Sequence, residues 1–575
     1  MSTTNSHDAS RLRSSSLSSL TSLVGLQLSS RLLTFVLNQA LFRLASPKAY
    51  GVAAIQFELV LSTILFVSRE GVRGALLRVG TGKEKNNSRN NKALNVGFIP
   101  IILGIPLALC TTMLYARYAS EETKSQSMFM ESVTVYALAA ILELMSEPMH
   151  NIAMAELKTH IRVRAEGAGI TLKTIVTFIV LFYDYTAQSK RDFALLSFAL
   201  GQLAYGACVF AIYAWSYGGI PRLQGMRGTG GKSWYPATYF DMEVLSLSMT
   251  MTSQSLVKHF LTEGDKFILS WFSPLEDQGG YAVAVNYGSL IARIIFQPIE
   301  ETLRLYFSKT LSDVTSGKAN AEQKRSALSD ASRALIGLLH IQVSASLLIL
   351  CFGSQYLALV LEVFLPAQYL KTSAPRILSA WIWYIPVLAI NGGLEAFLAS
   401  AAEKKDVNRQ SGRVNRYIDV FSTCLTHNKL TRWMIVFSVI YIGSAIGLYR
   451  QNYGDVSLVY ANIVNLSARI LYVVLFSASF FRRHQAESLL AWRKVLPSLS
   501  FLVALASSFA VVRASEAKWQ ATAVIKSQGR RAIIHRAVLA HIGLGAALAL
   551  ISLGVWWRSS RYLLGTFRSQ KAKTS

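Results

Sequence analysis

Four polar residues inside one apolar run, Asn286, Arg293, Gln297 and Glu300, follow one another at intervals of seven, four and three. On an α-helix that spacing places them on one face. Charged side chains are costly to insert in a bilayer, so they turn to a bundle interior or a water-filled cavity. A guanidinium at mid-span offers a planar fork of donors suited to a phosphate. It suits equally an internal pair with Glu300 or Glu143 that joins two helices, and the residues leave both readings open. Arg31, Thr34 and Asn38 share a face near the start of the chain. Lys258, His259, Thr262, Glu263, Asp265 and Lys266 crowd a single apolar segment, part of which must meet water or unwind. Glu143 and Glu147 lie one turn apart, and Pro148 is expected to kink the helix just after them. Asn391 with Glu395, and Asn462 with Asn465 and Arg469, form further stripes. A central hydrophilic cavity shared by both halves accounts for all of these faces.

The elements that carry these residues follow from composition. The chain has 575 residues, of which 52% are hydrophobic and 16% charged, with a mean hydropathy of +0.35. A soluble chain carries about a quarter charged residues. A net charge of +26 would suggest nucleic acid in a soluble domain, but here the cations lie between apolar runs. The reading is therefore an all-α polytopic membrane protein with about fourteen transmembrane helices and no nucleic-acid partner. The expected spans lie near 20–45, 51–68, 94–116, 133–155, 168–187 and 195–217. After a polar interval at 218–244 come 245–273, 281–300, 334–363, 377–401, 431–449 and 456–480. The last two lie near 495–513 and 535–557. The polar start, Met1 to Ser19, lacks the pattern of a signal peptide, so the first span is expected to serve as targeting signal too.

Basic residues mark cytoplasmic connections. Arg69, Arg73, Arg78, Lys83, Lys85, Arg89 and Lys92 crowd the second connection, and the later even-numbered ones repeat the bias. Both termini are thus expected in the cytosol. The thirteenth connection breaks the alternation with Arg513, Lys518, Lys526, Arg530, Arg531 and Arg536. It reads either as a late loop that escapes the rule or as a basic surface for anionic lipid headgroups. A weak repeat relates Gln56 to Asn286, Phe66 to Phe296 and Glu70 to Glu300 at one offset of 230 residues. It fits two six-span halves. The expected organisation is an N-terminal lobe (1–217), a cytosolic loop (218–244), a C-terminal lobe (245–481), and two added C-terminal spans with a tail (482–575).

Signs of catalysis are absent. Gly231, Lys232 and Ser233 resemble part of a phosphate loop, but Met226 stands where a glycine is required. No HExxH motif and no Cys/His cluster of metal-ligand spacing occurs, so neither an ATPase, a metal site nor a cofactor is expected. The four cysteines are scattered and form no disulfide framework. A multispan glycosyltransferase would place acids in an early luminal loop, whereas the connection Ser46 to Tyr50 carries only Lys48.

A family resemblance then emerges. The run Arg31 to Asn38, followed by Ser68-Arg69-Glu70 and Arg73, resembles the start of Rft-type proteins of the endoplasmic reticulum. Leu261 to Lys266, Asp277-Gln278-Gly279, Asn286 to Leu290 and Ala292 to Glu301 are similar to the family in a more specific block, and Ala389 to Gly392 with Glu395 adds a later match. The likeness runs from about Arg31 to Arg469, and no family motif is evident in the last two spans. It implies the exporter superfamily of multidrug/toxin extruders and bacterial lipid-linked oligosaccharide flippases, with two six-helix lobes facing across a central cavity plus extra C-terminal helices. It further implies movement of the dolichyl-diphosphate-linked heptasaccharide from the cytosolic to the luminal leaflet of the endoplasmic reticulum, for protein N-glycosylation and without ATP hydrolysis. A non-transporting accessory that presents this lipid is the first alternative. An ion-coupled small-molecule antiporter using Glu143, Glu147, Glu263 or Asp265 is the second. In the transport reading Arg31, Arg69, Lys258 and Arg293 meet the diphosphate, Asn38, Asn286 and Gln297 bond sugar, and Glu70, Glu263 and Glu300 accompany them. The tail from Lys571 to Ser575 also resembles a dibasic retrieval signal.

Overall fold

The computed structural model describes residues 37–79, 92–187, 192–219, 221, 239–315, 320–401 and 429–573. Among them the secondary structure is helical, with no strand. Helix α1 runs Pro47–Arg78, α2 Lys92–Tyr118, α3 Phe129–Ala155, α4 Thr159–Ala187 and α5 Ala194–Tyr217. Helices α6 (Met242–Thr262) and α7 (Gly264–Phe272) follow, then α8 (Leu275–Ser312), α9 (Ala321–Phe364) and α10 (Ala374–Ala401). The chain continues through α11 (Lys429–Leu448), α12 (Val456–Arg483), α13 (Leu499–Trp519), α14 (Ala521–Gln528) and α15 (Arg536–Lys573). Among the described residues, 11 helices are long and apolar enough to cross a membrane. The chain is a multi-pass helical membrane protein. The expected first span, 20–45, falls largely outside the described residues, and 245–273 is two helices rather than one.

Local chemistry explains where these helices begin and break. Ser46 caps α1 by accepting from the Ala49 amide at 3.3 Å, and Pro47 fills the first helical position, where no amide is needed. Asp241 caps α6 through the amides of Glu243 and Val244. Asn320 and Gln323 form a reciprocal capping box at the start of α9. The crowded polar segment breaks at Glu263, next to Gly264, so α6 and α7 are separate. Helix α3 is interrupted at Ser146, whose hydroxyl donates to the Glu143 carbonyl at 2.7 Å, just ahead of Pro148. One turn of α8, Ala292–Phe296, and one of α1, Val52–Phe57, widen to π geometry.

The described chain divides into two compact units, Met1–Ala282 and Val283–Ser575. In the first, α1 packs on α2 and α6, while α5 packs on α3 and α4. Small residues allow these approaches, as in other membrane bundles. A Cβ on Gly71 of α1 would lie 2.6 Å from the Ser248 carbonyl oxygen of α6. A Cβ on Gly279 would collide with the backbone of Pro47. In the second unit α10 packs on α8, α9 and α12, and α13 pairs with α15. Its core includes Phe307, Phe397, Phe480 and Phe481, with Phe397 and Phe481 stacked at 5.9 Å. Large apolar side chains such as Leu103, Met113, Val163 and Trp215 stand exposed on the helices, as lipid-facing surfaces require. This division follows contacts, whereas the proposed lobes at 1–217 and 245–481 follow the sequence repeat.

Candidate functional site

The first unit gathers its charges into one buried network. Arg69 and Arg73 lie one turn apart on α1, and Glu143 and Glu147 one turn apart on α3. Arg73 grips Glu147 with a fork, Nε to Oε2 at 2.8 Å and Nη2 to Oε1 at 2.5 Å. Arg69 Nη1 lies 3.3 Å from Glu143 and 3.3 Å from Glu147. Gln202 of α5 donates to Glu143 at 2.8 Å, and Lys173 of α4 donates to Gln202 at 2.6 Å. Glu147 is fully buried. Bidentate geometry and a complete set of partners are the conditions under which buried charges can persist. Beside the network lies a cavity of ≈ 340 Å³ whose lining includes Arg69, Glu70, Glu143, Lys173, Gln202 and Tyr205. Arg69 and Glu70 both line it, and Arg69 does so with its guanidinium bound by carboxylates.

Other predicted residues of this unit lie elsewhere. Glu263 pairs with Lys266 at 2.8 Å at the break between α6 and α7. The backbone of Lys258 lies on α6, its side chain lies outside the described atoms, and its neighbour His259 contacts the Thr63 hydroxyl at 2.9 Å. Asn38 is half-buried on helical residues 37–44, and Arg31 falls outside the described residues. Gln56 of α1 donates to Gln278, at the start of α8, at 2.9 Å and accepts from Tyr115 at 2.7 Å.

The second unit carries the polar stripe of α8. Arg293 is exposed within the π turn, and its Nη2 donates to the Asn286 carbonyl at 3.0 Å, two turns back along the same face. Gln297 is exposed. Glu300 accepts from Arg304 at 2.9 Å. Glu143, the other carboxylate of the pairing alternative, is held by Arg69 and Gln202. The stripes on α10 and α12 meet each other through an ion pair of Glu395 with Arg469. Glu300 also faces α10, because a Cβ on Gly392 would sit 3.2 Å from its Oε2. The side-chain oxygens of Asn286, Gln342, Asn391 and Asn465 are buried without a hydrogen-bond partner among the described residues. Buried amides left in this state are uncommon and call for a functional explanation.

Sequence reasoning missed Arg73, Lys173 and Gln202 as members of the first network. Arg73 was visible four residues after Arg69, the spacing that places both on one helical face. Lys173 and Gln202 stand alone in apolar runs and carried no pattern. Among the described residues no group of three or more potential ligands could hold a metal ion.

Comparison with known proteins adds extent to this geometry. The family model described as Rft protein matches residues 15–570. The match thus runs through α13 to α15, beyond the last residue at which the sequence motifs had suggested a likeness. The chain is 30% identical over 555 residues to the Man(5)GlcNAc(2)-PP-dolichol translocation protein RFT1 of Yarrowia lipolytica, covering 88% of this chain and 77% of that protein. It is 31% identical over 520 residues to the protein of the same name from Schizosaccharomyces pombe, covering 88% of this chain and 91% of that one. Among solved structures, the lipid II flippase MurJ in an inward closed conformation superposes with a TM-score of 0.52 at 15% identity. That superposition covers 94% of this chain and 99% of that one, a likeness of fold.

Proposed function

The chain belongs to the Rft protein family, and from that premise we propose that it moves a dolichyl-diphosphate-linked heptasaccharide across the endoplasmic reticulum membrane. The observation that carries the reading is the pair of relatives, each named for translocation of Man(5)GlcNAc(2)-PP-dolichol, matched over most of both chains. The direction is from cytosolic to luminal leaflet, both termini are cytosolic, and movement needs no ATP hydrolysis. The protein acts as a translocator rather than an enzyme.

The division of charge supports roles for particular residues. Arg293 presents a guanidinium on an exposed face and donates to a backbone carbonyl there. Displacing that carbonyl by a diphosphate oxygen would exchange a neutral acceptor for a charged one, which strengthens the bond. Gln297, exposed one turn on, and Asn286 supply amides for sugar hydroxyls. Glu70, on the cavity of the first unit, and Glu300 add carboxylate acceptors, while Arg31, Asn38, Lys258 and Glu263 complete the proposed path. The antiporter alternative needs carboxylates able to take up and release a cation, and Glu143 and Glu147 are tied to Arg69 and Arg73 instead.

The test is reconstitution of the purified protein in liposomes and measurement of leaflet exchange of the diphosphate-linked oligosaccharide. Exchange above protein-free vesicles is expected. Headgroup binding by folded protein without exchange would replace translocation by the accessory role.

A further inference from the structure

The thirteenth connection is built, not loose. Helix α13 ends at Trp519, α14 occupies Ala521–Gln528, a short 3₁₀ turn spans Arg530–Ile534, and α15 starts at Arg536. The bends lie at Gln520 (φ 47°) and Gly529 (φ 74°). Ala521, Ile525, Ala532 and Val538 are buried against Leu359 of α9. Arg530 donates to the Leu365 carbonyl at 2.6 Å, and Lys526 lies 3.9 Å from Glu362. The acid of the segment, Glu516, turns inward, accepting from the Thr522 amide at 3.0 Å and lying 3.3 Å from His541. This inward turn leaves the outer surface strongly basic. Arg513, Lys518, Arg531 and Arg536 are exposed and make no ion pair among the described residues.

Two features place this surface at a membrane boundary. It joins the ends of two apolar helices, each long enough to cross a bilayer. It also exposes apolar side chains beside its cations: Ile534 is 75% exposed, and Lys518 lies over the exposed Trp519 ring at 5.4 Å. Apolar and aromatic side chains beside lysine and arginine are the composition of an interfacial lipid contact, where rings sit at headgroup depth and cations meet phosphate. A site for a soluble anion would have no use for exposed Ile534. The alternation of basic connections along the chain also predicts few cations here, so a basic surface on a folded platform needs its own cause.

We propose that the surface formed by Lys518, Trp519, Arg531, Ile534 and Arg536 is a binding site for the headgroups of anionic phospholipids. It is separate from the transport path, and it stands or falls independently of the transported substrate.

The test uses the full chain purified in a neutral detergent. Its thermal midpoint is followed during titration with dioctanoyl phosphatidylserine, dioctanoyl phosphatidylcholine or inorganic phosphate. The serine lipid is expected to raise the midpoint saturably, with the other two inactive and added salt weakening the effect. The Lys518→Gln/Arg531→Gln/Arg536→Gln variant keeps Lys526 and Arg530, which hold the connection in place, so its lipid-free midpoint should match the wild type. Its apparent affinity should fall about fivefold per charge, about a hundredfold in all. Arg493→Gln/Lys494→Gln, at the other end of the same span, should leave affinity unchanged. Equal stabilisation by the choline lipid or by phosphate, an undiminished response in the triple variant, or an equal loss in the Arg493/Lys494 control would each overturn the proposal.

Discussion

The charges of the two units are used differently. In the first unit Arg69, Arg73, Glu143 and Glu147 complete one another, and Gln202 and Lys173 close the remaining valences. In the second, Arg293 is exposed on α8, and buried amide oxygens on α8, α9, α10 and α12 have no described partner. A satisfied network fixes helices to one another. An unsatisfied row lowers stability unless a ligand answers it. The contrast supports a chiefly structural part for the first network and the proposal that the stripe of the second unit meets a polar headgroup.

The comparison can be broken by substitution. The largest effect is expected from Glu147→Ala, which removes the buried carboxylate that the Arg73 fork grips and Arg69 also meets. Losing one partner of such a group costs about 3–5 kcal/mol. A thermal midpoint near that of the wild type would contradict a structural role for the network. Gly71→Val drives a side chain into the backbone of α6 at its close approach to α1 and should cost about 1–3 kcal/mol. Unchanged stability in that variant would remove the packing argument.

A matched pair sharpens the contrast. Gln202→Leu leaves Glu143 with Arg69 alone and takes from Lys173 its Gln202 acceptor, for a loss of about 1–3 kcal/mol. Asn391→Leu removes a buried amide oxygen that has no described partner and should leave the midpoint unchanged or raise it, while slowing leaflet exchange. Equal destabilisation by the two would erase the distinction between the units. Smallest of all, Arg304→Ala removes an exposed i,i+4 pair with Glu300 and should change stability by about 0.3–0.5 kcal/mol.

Much of this was legible in the chain itself. Helices in lipid must satisfy their own backbone, so long apolar runs identify them with little ambiguity. The charge density around Glu263 marked a segment that must meet water or unwind, and α6 and α7 part there; across the interval from Asn286 to Arg293, the arginine reaches the Asn286 carbonyl. Pairing across helices was not legible. Nothing in the run around Arg73 says that its fork closes on Glu147, and nothing around Glu395 says that it meets Arg469. Those facts depend on which helix faces turn together. The π turn at Ala292–Phe296 was equally silent, since a single wide turn leaves the hydrophobic period almost unchanged.

The central claim is that Arg293 meets the diphosphate during transit, and one comparison tests it most directly. Leaflet exchange of the diphosphate-linked oligosaccharide is measured in liposomes carrying wild-type or Arg293→Ala protein, with thermal midpoints taken on the same preparations. Loss of a charge-assisted contact in the path predicts exchange slowed about 10- to 100-fold at an unchanged midpoint. Exchange at the wild-type rate in the Arg293→Ala protein would contradict the account.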